Sequence, residues 1–294
     1  MSKAFSRIIL KTFFIFSILS YSVNSYKKKI DPVWKATEKL TEKYQYVVAL
    51  LNANKEFECS GTIIGKRTII TSGNCITPQP YYVAVGVAVY NRNTNEHNIF
   101  EIAFVRLHTD YIYELQESEF SVIKMQSNIG LVFTYLSVLN FYIESPVVGN
   151  MYASELKNKT LVVVGYAKMR NSNAVGLQAQ IYNQMPCINP KWYYCICGNE
   201  SKSKNPKDQK ISKGAPLLVG TSVVGIAACP CVSLARQADE NKYNIFTVIR
   251  PYLRWIHRVQ RDYVKFRIKR NHSVRRVITN YVYCIILLTN KVFI

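Results

Sequence analysis

Short runs of apolar and β-branched residues recur along the middle of the chain, separated by Gly, Pro, Asn and Lys. Val, Ile, Tyr and Thr favour strands, whereas the residues between the runs favour turns. The pattern predicts an all-β domain, and no repeat of fixed period is visible. The predicted strands are Gln45–Leu51, Gly61–Ile64, Thr68–Thr71, Tyr81–Tyr90, Phe120–Met125, Leu161–Tyr166, Leu217–Val219 and Val223–Ala227.

The pattern changes near Pro251. Apolar residues there recur at intervals of three and four, with Arg and Lys between them, as on one face of a helix. Because Pro is tolerated in the first helical turn, we predict that an amphipathic helix begins at this point. Its apolar positions are Leu253, Ile256, Val259 or Gln260, Tyr263 and Phe266.

The N-terminus has the layout of a secretory signal peptide. Basic residues precede the apolar run Thr12–Leu19, and a cleavage site follows at Ser25. This run is shorter than the about 20 apolar residues that a membrane span needs. We therefore expect residues 1–25 to be removed and the protein to be secreted. Residues 26–43 are polar and basic, and we expect them to form an N-terminal extension.

Eight cysteines fit a secreted domain held by disulfides. The pairs Cys195/Cys197 and Cys229/Cys231 have C-x-C spacing, not the C-x₂-C spacing of zinc ribbons. We therefore expect no metal site, and nothing in the sequence indicates a cofactor. Three Asn-x-Ser/Thr sequons are compatible with glycosylation of a secreted chain. They begin at Asn158, Asn199 and Asn271.

The net charge of +20 is extreme for 294 residues, and it is densest between Arg258 and Arg276. This density indicates attraction to a sulfated glycan, an anionic lipid or an acidic protein, although a solvated basic face is the simpler interpretation. Nucleic acid is not an expected partner of a secreted chain. The apolar run 277–288 is interrupted by Asn280, so we predict a peripheral tail and not a membrane anchor. The basic residues proposed to bind acidic glycans are Arg258, Arg261, Lys265, Arg267, Lys269 and Arg270.

Cys59–Ile64 reads C-S-G-T-I-I, and Thr71–Cys75 reads T-S-G-N-C. These two segments resemble the histidine loop of trypsin-like serine proteases, where the family has C-G-G-S/T-x-I and T-A-A-H-C. The resemblance covers residues 44–257 and implies a double six-stranded antiparallel β-barrel with a C-terminal α-helix, leaving 258–294 as a basic helix and apolar tail. The other matching blocks are Tyr46–Leu50, Leu107–Tyr111, Ser118–Met125 (on N-D-I-A-L-L-K-L), Val164–Tyr166, Lys213–Leu218 (on S-G-G-P-L-V), Asn244–Ile249 and Trp255–Ile256.

The resemblance also assigns the catalytic positions, and none of them holds the residue that the chemistry needs. Asn74 stands at the base position, and its amide cannot accept a proton near neutral pH. Glu119 stands at the acid position and Lys213 at the nucleophile position. The remaining assignments are Ile211 at the oxyanion glycine, Ser212 at the aspartate before the nucleophile and Lys207 at the base of the specificity pocket.

The resemblance further implies which cysteines pair. Cys59 should form a disulfide with Cys75, and Cys187 should pair with Cys195 or Cys197. Whichever of Cys195 and Cys197 is not bonded to Cys187 would form a disulfide with Cys229 or Cys231. Cys284 has no assigned partner.

These assignments favour a secreted, noncatalytic serine protease homologue of the insect type. Such a protein acts as a binding cofactor or decoy, and its partner would be an unidentified secreted protein, such as an active protease or a protease substrate. Two alternatives stay open. One is a cryptic serine-type hydrolase that uses shifted residues, for example Ser212 beside Lys213. The other is a basic protein that docks on glycans or membrane.

Overall fold

The computed structural model describes residues 32–91, 94, 96–116, 121–139, 143–169, 174–187, 189–200, 211–230 and 243–267. Strands dominate this part of the chain. They are β1 Val47–Leu51, β2 Phe57–Gly65, β3 Thr68–Thr71, β4 Tyr82–Ala84, β5 Val89–Tyr90, β6 Ile99–Leu107, β7 Ile112–Gln116, β8 Ser121–Gln126, β9 Gly130–Thr134, β10 Val147–Val148, β11 Leu161–Lys168, β12 Val175–Met185, β13 Cys195–Glu200, β14 Pro216–Val219, β15 Ser222–Pro230 and β16 Tyr243–Val248. Helix α1 is Pro32–Lys43 and helix α2 is 253–267, with 3₁₀ turns at Gly73–Cys75, Glu96–Asn98, Ala153–Leu156 and Arg250–Tyr252.

The first six-stranded barrel closes in the order β1-β2-β3-β9-β6-β4. All five residues of β1 are buried, although strands of antiparallel sheets often alternate between buried and exposed positions. Val48 and Leu50 pack into the interior of this barrel, whereas Val47, Ala49 and Leu51 belong to the core shared with the second barrel. Because β1 is buried on both faces, its sequence is a continuous apolar run.

The second barrel is built from β11 to β16. β14 pairs with β11, and the path continues through β12, β13 and β16, which returns to β15 beside β14. Its interior is filled by large apolar side chains, among them Leu161, Tyr182, Ile196, Leu217 and Phe246. This arrangement confirms the predicted fold of two six-stranded antiparallel barrels.

Helix α2 closes the core where the two barrels meet. Trp255 and Ile256 are 7% and 1% exposed and belong to the shared core. The predicted C-terminal amphipathic helix is therefore present. Helix α1, which the sequence did not predict, lies within the expected extension. Thr37 on this helix is buried, and the methyl carbon of its side chain lies beside Gly176 of β12.

Two strand predictions change in the structure. Tyr81–Tyr90 is not one strand, because it divides into β4 and β5, which pair with different barrels. Phe120–Met125 falls on β8, which pairs with β7 in a separate two-stranded sheet and joins neither barrel. The residues predicted to form a signal peptide, 1–25, and residues 268–294 of the predicted tail lie outside the described residues. No helix in the described ranges is long and apolar enough to span a membrane.

Candidate functional site

Asn74 lies in the turn that follows β3, and neighbouring groups engage both ends of its side chain. The disulfide between Cys59 and Cys75 ties this turn to β2. Asn74 Nδ2 donates to the carbonyl of Ala228 on β15 at 3.1 Å, and the hydroxyl of Ser72 donates to Asn74 Oδ1 at 2.5 Å. The amide is therefore held between the first barrel and a strand of the second.

The side chain that supports Asn74 belongs to Asn128. Its Oδ1 accepts from the Asn74 backbone N–H at 2.9 Å and lies 3.0 Å from the Ser72 hydroxyl. Asn128 is fully buried, and its Nδ2 donates to the sulfur of Met125 at 3.3 Å. The residue that touches Asn74 where an orienting acid would stand is thus another amide.

Sequence reasoning assigned that position to Glu119, which lies outside the described residues. The block Ser118–Met125 that carries this assignment runs into β8, which pairs with β7 outside both barrels, and the next strand of the first barrel is β9. Strand β9 pairs with both β3 and β6, which brings Asn128 to the turn after β3. The sequence contains a signal for Asn128 at the acid position, because 128–132 reads N-I-G-L-V and resembles the family's D-I-A-L-L as closely as 119–123 does.

The turn at Lys213 connects the same two barrels. Its carbonyl accepts from the Ser60 N–H on β2 at 2.8 Å, and the N–H of Gly214 donates to the carbonyl of Ala227 on β15 at 2.7 Å. Two neighbouring carbonyls of β15 therefore accept hydrogen bonds from the two sites: that of Ala227 from the Lys213 turn, and that of Ala228 from Asn74. The structure thus brings these two predicted positions to one place, which we call the junction site (Ser60, Asn74, Asn128, Ser212 and Lys213).

A carboxyl group on β2 lies within the electrostatic reach of Lys213. Burial raises the pKa of Glu58, whereas the hydrogen bond from Asn52 and the charge on Lys213 act in the opposite direction. The positive charge of Lys213 therefore stabilises the ionised form of Glu58 at the edge of the junction site.

Ile211 and Ser212 have structural contacts. Ile211 is 8% exposed, and its Cγ2 lies 2.6 Å from where a Cβ on Gly165 would stand. Its side chain therefore belongs to the core of the second barrel.

The hydroxyl of Ser212 lies 2.6 Å from that of Ser60, which also accepts from the Tyr166 N–H at 2.9 Å. Both serines are therefore tied into the packing between β2, β11 and the Lys213 turn. Lys207, the predicted pocket residue, lies outside the described residues.

The second disulfide joins Cys187 to Cys197, so the alternative pairing of Cys187 with Cys195 does not occur. Cys195 is half-buried, and its Sγ donates to the carbonyl of Tyr193 at 3.2 Å. The side chains of Cys229, Cys231 and Cys284 lie outside the described part. Within that part, no three His, Cys, Asp or Glu side chains form a cluster that could hold a metal ion.

The sequons and the basic residues have different settings. Asn158 lies in an exposed turn at φ 64°, whereas Asn199 lies within β13 between β12 and β16. Asn271 is outside the described residues, as are Lys269 and Arg270. The other four residues proposed to bind acidic glycans, which are Arg258, Arg261, Lys265 and Arg267, lie on α2.

None of the described histidines belongs to the junction site. His97 and His257 are exposed, and His272 lies outside the described residues. The ring of His108 packs against Tyr252 at 5.2 Å and Trp255 at 4.9 Å. Burial lowers the pKa of His108, Asp110 opposes this effect and the charge on Arg258 adds to it.

The protein-family model for Trypsin matches residues 34–256. The chain belongs to the trypsin family. Kallikrein-related peptidase 10, solved in complex with Zn²⁺, is 16% identical over 76% of this chain and 98% of its own, with a TM-score of 0.57. Neuropsin, a serine protease expressed in the limbic system of mouse brain, is 15% identical over 75% of this chain and 96% of its own, with a TM-score of 0.54. At these identities the two structures support the fold alone. The curated proteins give no match.

Proposed function

We propose that this trypsin-family chain is a secreted, noncatalytic homologue that acts by binding another protein. The observation that carries the proposal is the contact between Asn74 and Asn128. Peptide hydrolysis by this family needs an imidazole that takes the proton of the nucleophile and a carboxylate that orients the imidazole. An amide in each place supplies neither a base near neutral pH nor a negative charge to stabilise one.

The nucleophile side of the junction site supports the same conclusion. Lys213 offers an ammonium group where the family has a hydroxyl. An oxyanion hole needs backbone N–H groups aimed at the developing charge, and losing one donor already costs about 10²–10³ in kcat. Ile211 stands at the position of the oxyanion glycine and is buried in the second barrel, and β-branched residues avoid the positive φ that glycine permits.

A Ser212–Lys213 dyad is the best form of the hydrolase alternative. A dyad needs the lysine amine within hydrogen-bond reach of the serine hydroxyl. The Ser212 hydroxyl instead engages Ser60, and the backbone N–H of Ser212 donates to the carbonyl of Tyr166 at 3.0 Å. These contacts favour a structural role for Ser212.

Secretion is supported by the sequence of residues 1–25 and by two disulfides in the described part of the chain. Disulfides persist in oxidising compartments. The family and the disulfides are typical of secreted proteins, and we extend the location to this chain on that basis.

Activity-based labelling tests the loss of catalysis. Purified full-length protein should show no labelling by a serine-directed fluorophosphonate and no cleavage of a mixed peptide library, with active trypsin as the positive control. Ser212→Ala and Lys213→Ala are the matched variants. Turnover that either variant abolishes would contradict the proposal, whereas turnover that survives both would identify a contaminating protease.

Expression in secreting cells tests the location. We expect the protein in the medium, with a mass that falls on enzymatic removal of N-glycans. Asn158→Gln should remove one glycan, because Asn158 and the following residues of its sequon are exposed. Protein that stays in the membrane pellet after carbonate extraction would show that the location is wrong.

A further inference from the structure

A cleft of about 1060 Å³ separates β6 from α2. Its floor is aromatic. The ring of Phe104 on β6 stacks on Phe133 at 4.6 Å and meets Tyr263 of α2 at 5.1 Å. These contacts hold the aromatic rings of the floor in place. The volume of the cleft is close to the upper limit of the range for ligand pockets, about 300–1,000 Å³.

The mouth of the cleft carries exposed apolar side chains. Phe266 is 61% exposed and Tyr135 is 48% exposed, and both line the cleft. Phe266 lies on the apolar face of α2, where the barrels cover Ile256 and leave Phe266 exposed. Large exposed aromatic residues beside a concave surface are typical of interaction sites.

Arginines form the rim. Arg106 comes from β6 and Arg258 and Arg267 from α2, while Asp262 is the single acid among the lining residues. Three positive charges against one negative charge leave the rim at +2. Arg106 also lies over the Phe104 ring, with its guanidinium carbon 5.6 Å from the ring centroid. The cleft thus combines an aromatic floor with a positive rim.

This charge excludes two occupants that the chain itself could supply. A second copy would bring another strongly basic chain to a positive rim, because only Lys3, Arg7 and Lys11 of the basic residues lie in the segment expected to be removed. Residues 268–294 contain no Asp or Glu, so the apolar tail could cover the floor but would leave the arginines without anionic partners.

The floor distinguishes between the remaining anionic partners. A sulfated glycan would satisfy the arginines but would cover the aromatic rings with strongly hydrated groups. A membrane presents a broad surface, whereas the rings line a concave cleft. A peptide that carries both carboxylates and apolar side chains satisfies the rim and the floor together.

We propose that the β6–α2 cleft binds an acidic, amphipathic peptide segment of a partner protein. The proposal rests on the binding function proposed above and specifies the chemistry of the partner. An apolar side chain of the segment enters between Phe104, Tyr263 and Phe266, and its carboxylates pair with Arg106, Arg258 and Arg267. None of these residues belongs to the junction site.

Fluorescence anisotropy of the full-length protein tests the cleft. The probe is a short labelled peptide in which Glu alternates with Phe and Leu, and the control peptide has Ser in place of the apolar residues. At physiological salt, Arg258→Glu should weaken binding of the probe about tenfold or more. Arg261→Glu makes the same charge change on the same helix outside the cleft lining, and it should weaken binding less than about twofold, because exposed charges at a distance are screened.

A second matched pair tests the floor. Phe266→Ser should weaken binding about tenfold, as expected for an aromatic anchor. Val264→Ser removes another exposed apolar side chain of α2 that does not line the cleft, and it should leave binding unchanged. All four replaced side chains are exposed, so the variants should unfold at the temperature of the parent protein.

Several results would overturn the proposal. Equal losses for Arg258→Glu and Arg261→Glu, or equal affinity for the two peptides, would show diffuse charge attraction. Binding of a heparin fragment or of phosphatidylserine vesicles that depends on Arg258 and Phe266, without binding of the peptide, would assign the cleft to glycan or lipid. Failure of the peptide to bind would leave the fluorophosphonate result unaffected, so the two proposals can fail separately.

Discussion

Gly214 should be among the least replaceable residues of the described chain, although it carries no side chain and no chemistry. It adopts a φ of +79°, a conformation that only glycine enters without strain. A Cβ at this position would lie 2.0 Å from the backbone oxygen of Ser60 and 2.3 Å from Thr71 Oγ1. Thr71 Oγ1 itself donates to that oxygen at 2.8 Å, so neither atom can move away alone.

The cost of Gly214→Ala has three parts. The left-handed conformation costs about 1–2 kcal/mol for a residue with a Cβ. Crowding in a packed interior adds about 1–3 kcal/mol. Moving the turn away from β2 weakens the bonds from Ser60 N–H to Lys213 and from Gly214 N–H to Ala227, at about 1 kcal/mol each. We expect a loss of about 4–7 kcal/mol, a large fraction of the about 5–15 kcal/mol by which domains are stable.

Gly220→Ala is the matched control, because Gly220 has a φ of +59° with nothing within 4 Å of the added Cβ. This variant should lose only the conformational part, about 1–2 kcal/mol. Urea unfolding of the secreted proteins with disulfides intact, followed by Trp fluorescence, gives both free energies. If Gly214→Ala loses no more than Gly220→Ala, the contact with Ser60 does not constrain the turn and the reasoning is refuted.

Two further predictions concern Asn128 and His108. Asn128→Ala should lower the free energy of unfolding in urea by about 1–3 kcal/mol, because the half-buried N–H of Asn74 loses its acceptor. A loss no larger than that of an exposed Asn→Ala change would contradict this. Burial lowers the pKa of His108 in the folded protein below the ordinary value of about 6.5. The neutral ring therefore contributes its full stability above about pH 6.5, and this contribution is lost as the pH falls through the lower pKa of the folded state. The melting temperature should therefore fall less between pH 8 and pH 5 for His108→Phe than for the exposed control His97→Phe. An equal fall in both variants would contradict the lowered pKa of His108.

The fold was predictable because much of the sequence pattern is local. Strands such as β1 and β14 are short apolar runs bounded by turn residues, and β3 has the predicted bounds. The loop Thr71–Cys75 and the turn Lys213–Pro216 each resemble a family block without needing a residue from elsewhere. Such blocks identify a scaffold even when the residues that perform chemistry differ.

The acid position was not predictable by counting, because its neighbours come from the tertiary pairing of β9 with β3 and β6. The β7–β8 hairpin lengthens the chain between two barrel strands, and a count along the chain does not register an insertion. Helix α1 escaped prediction for a related reason. Its sequence is largely polar, and among the described side chains of the helix Thr37 is buried and Leu40 packs against the core.

The cleft illustrates a different limit of the sequence. The helical pattern placed Phe266 on the apolar face of α2, where a core position is the ordinary expectation. In the structure Tyr263 of this face packs against the core shared by the barrels, whereas Phe266 is exposed at the mouth of the cleft. Which part of an amphipathic face is covered depends on where the partner sheet ends, and the sequence of the helix does not contain that information.

The junction site is also where the two barrels are joined by hydrogen bonds. Asn74 of the first barrel donates to Ala228 of the second, and Thr247 Oγ1 of the second donates to the carbonyl of Asn128 in the first at 3.2 Å. Ser60 receives the N–H of Tyr166 and donates its own N–H to Lys213. These groups are therefore already engaged in holding the barrels together. Under the proposed binding function, this junction serves as structure alone, and the contacts of Asn74 and of the Lys213 turn stabilise the pairing of the barrels without an imidazole or a hydroxyl at these positions.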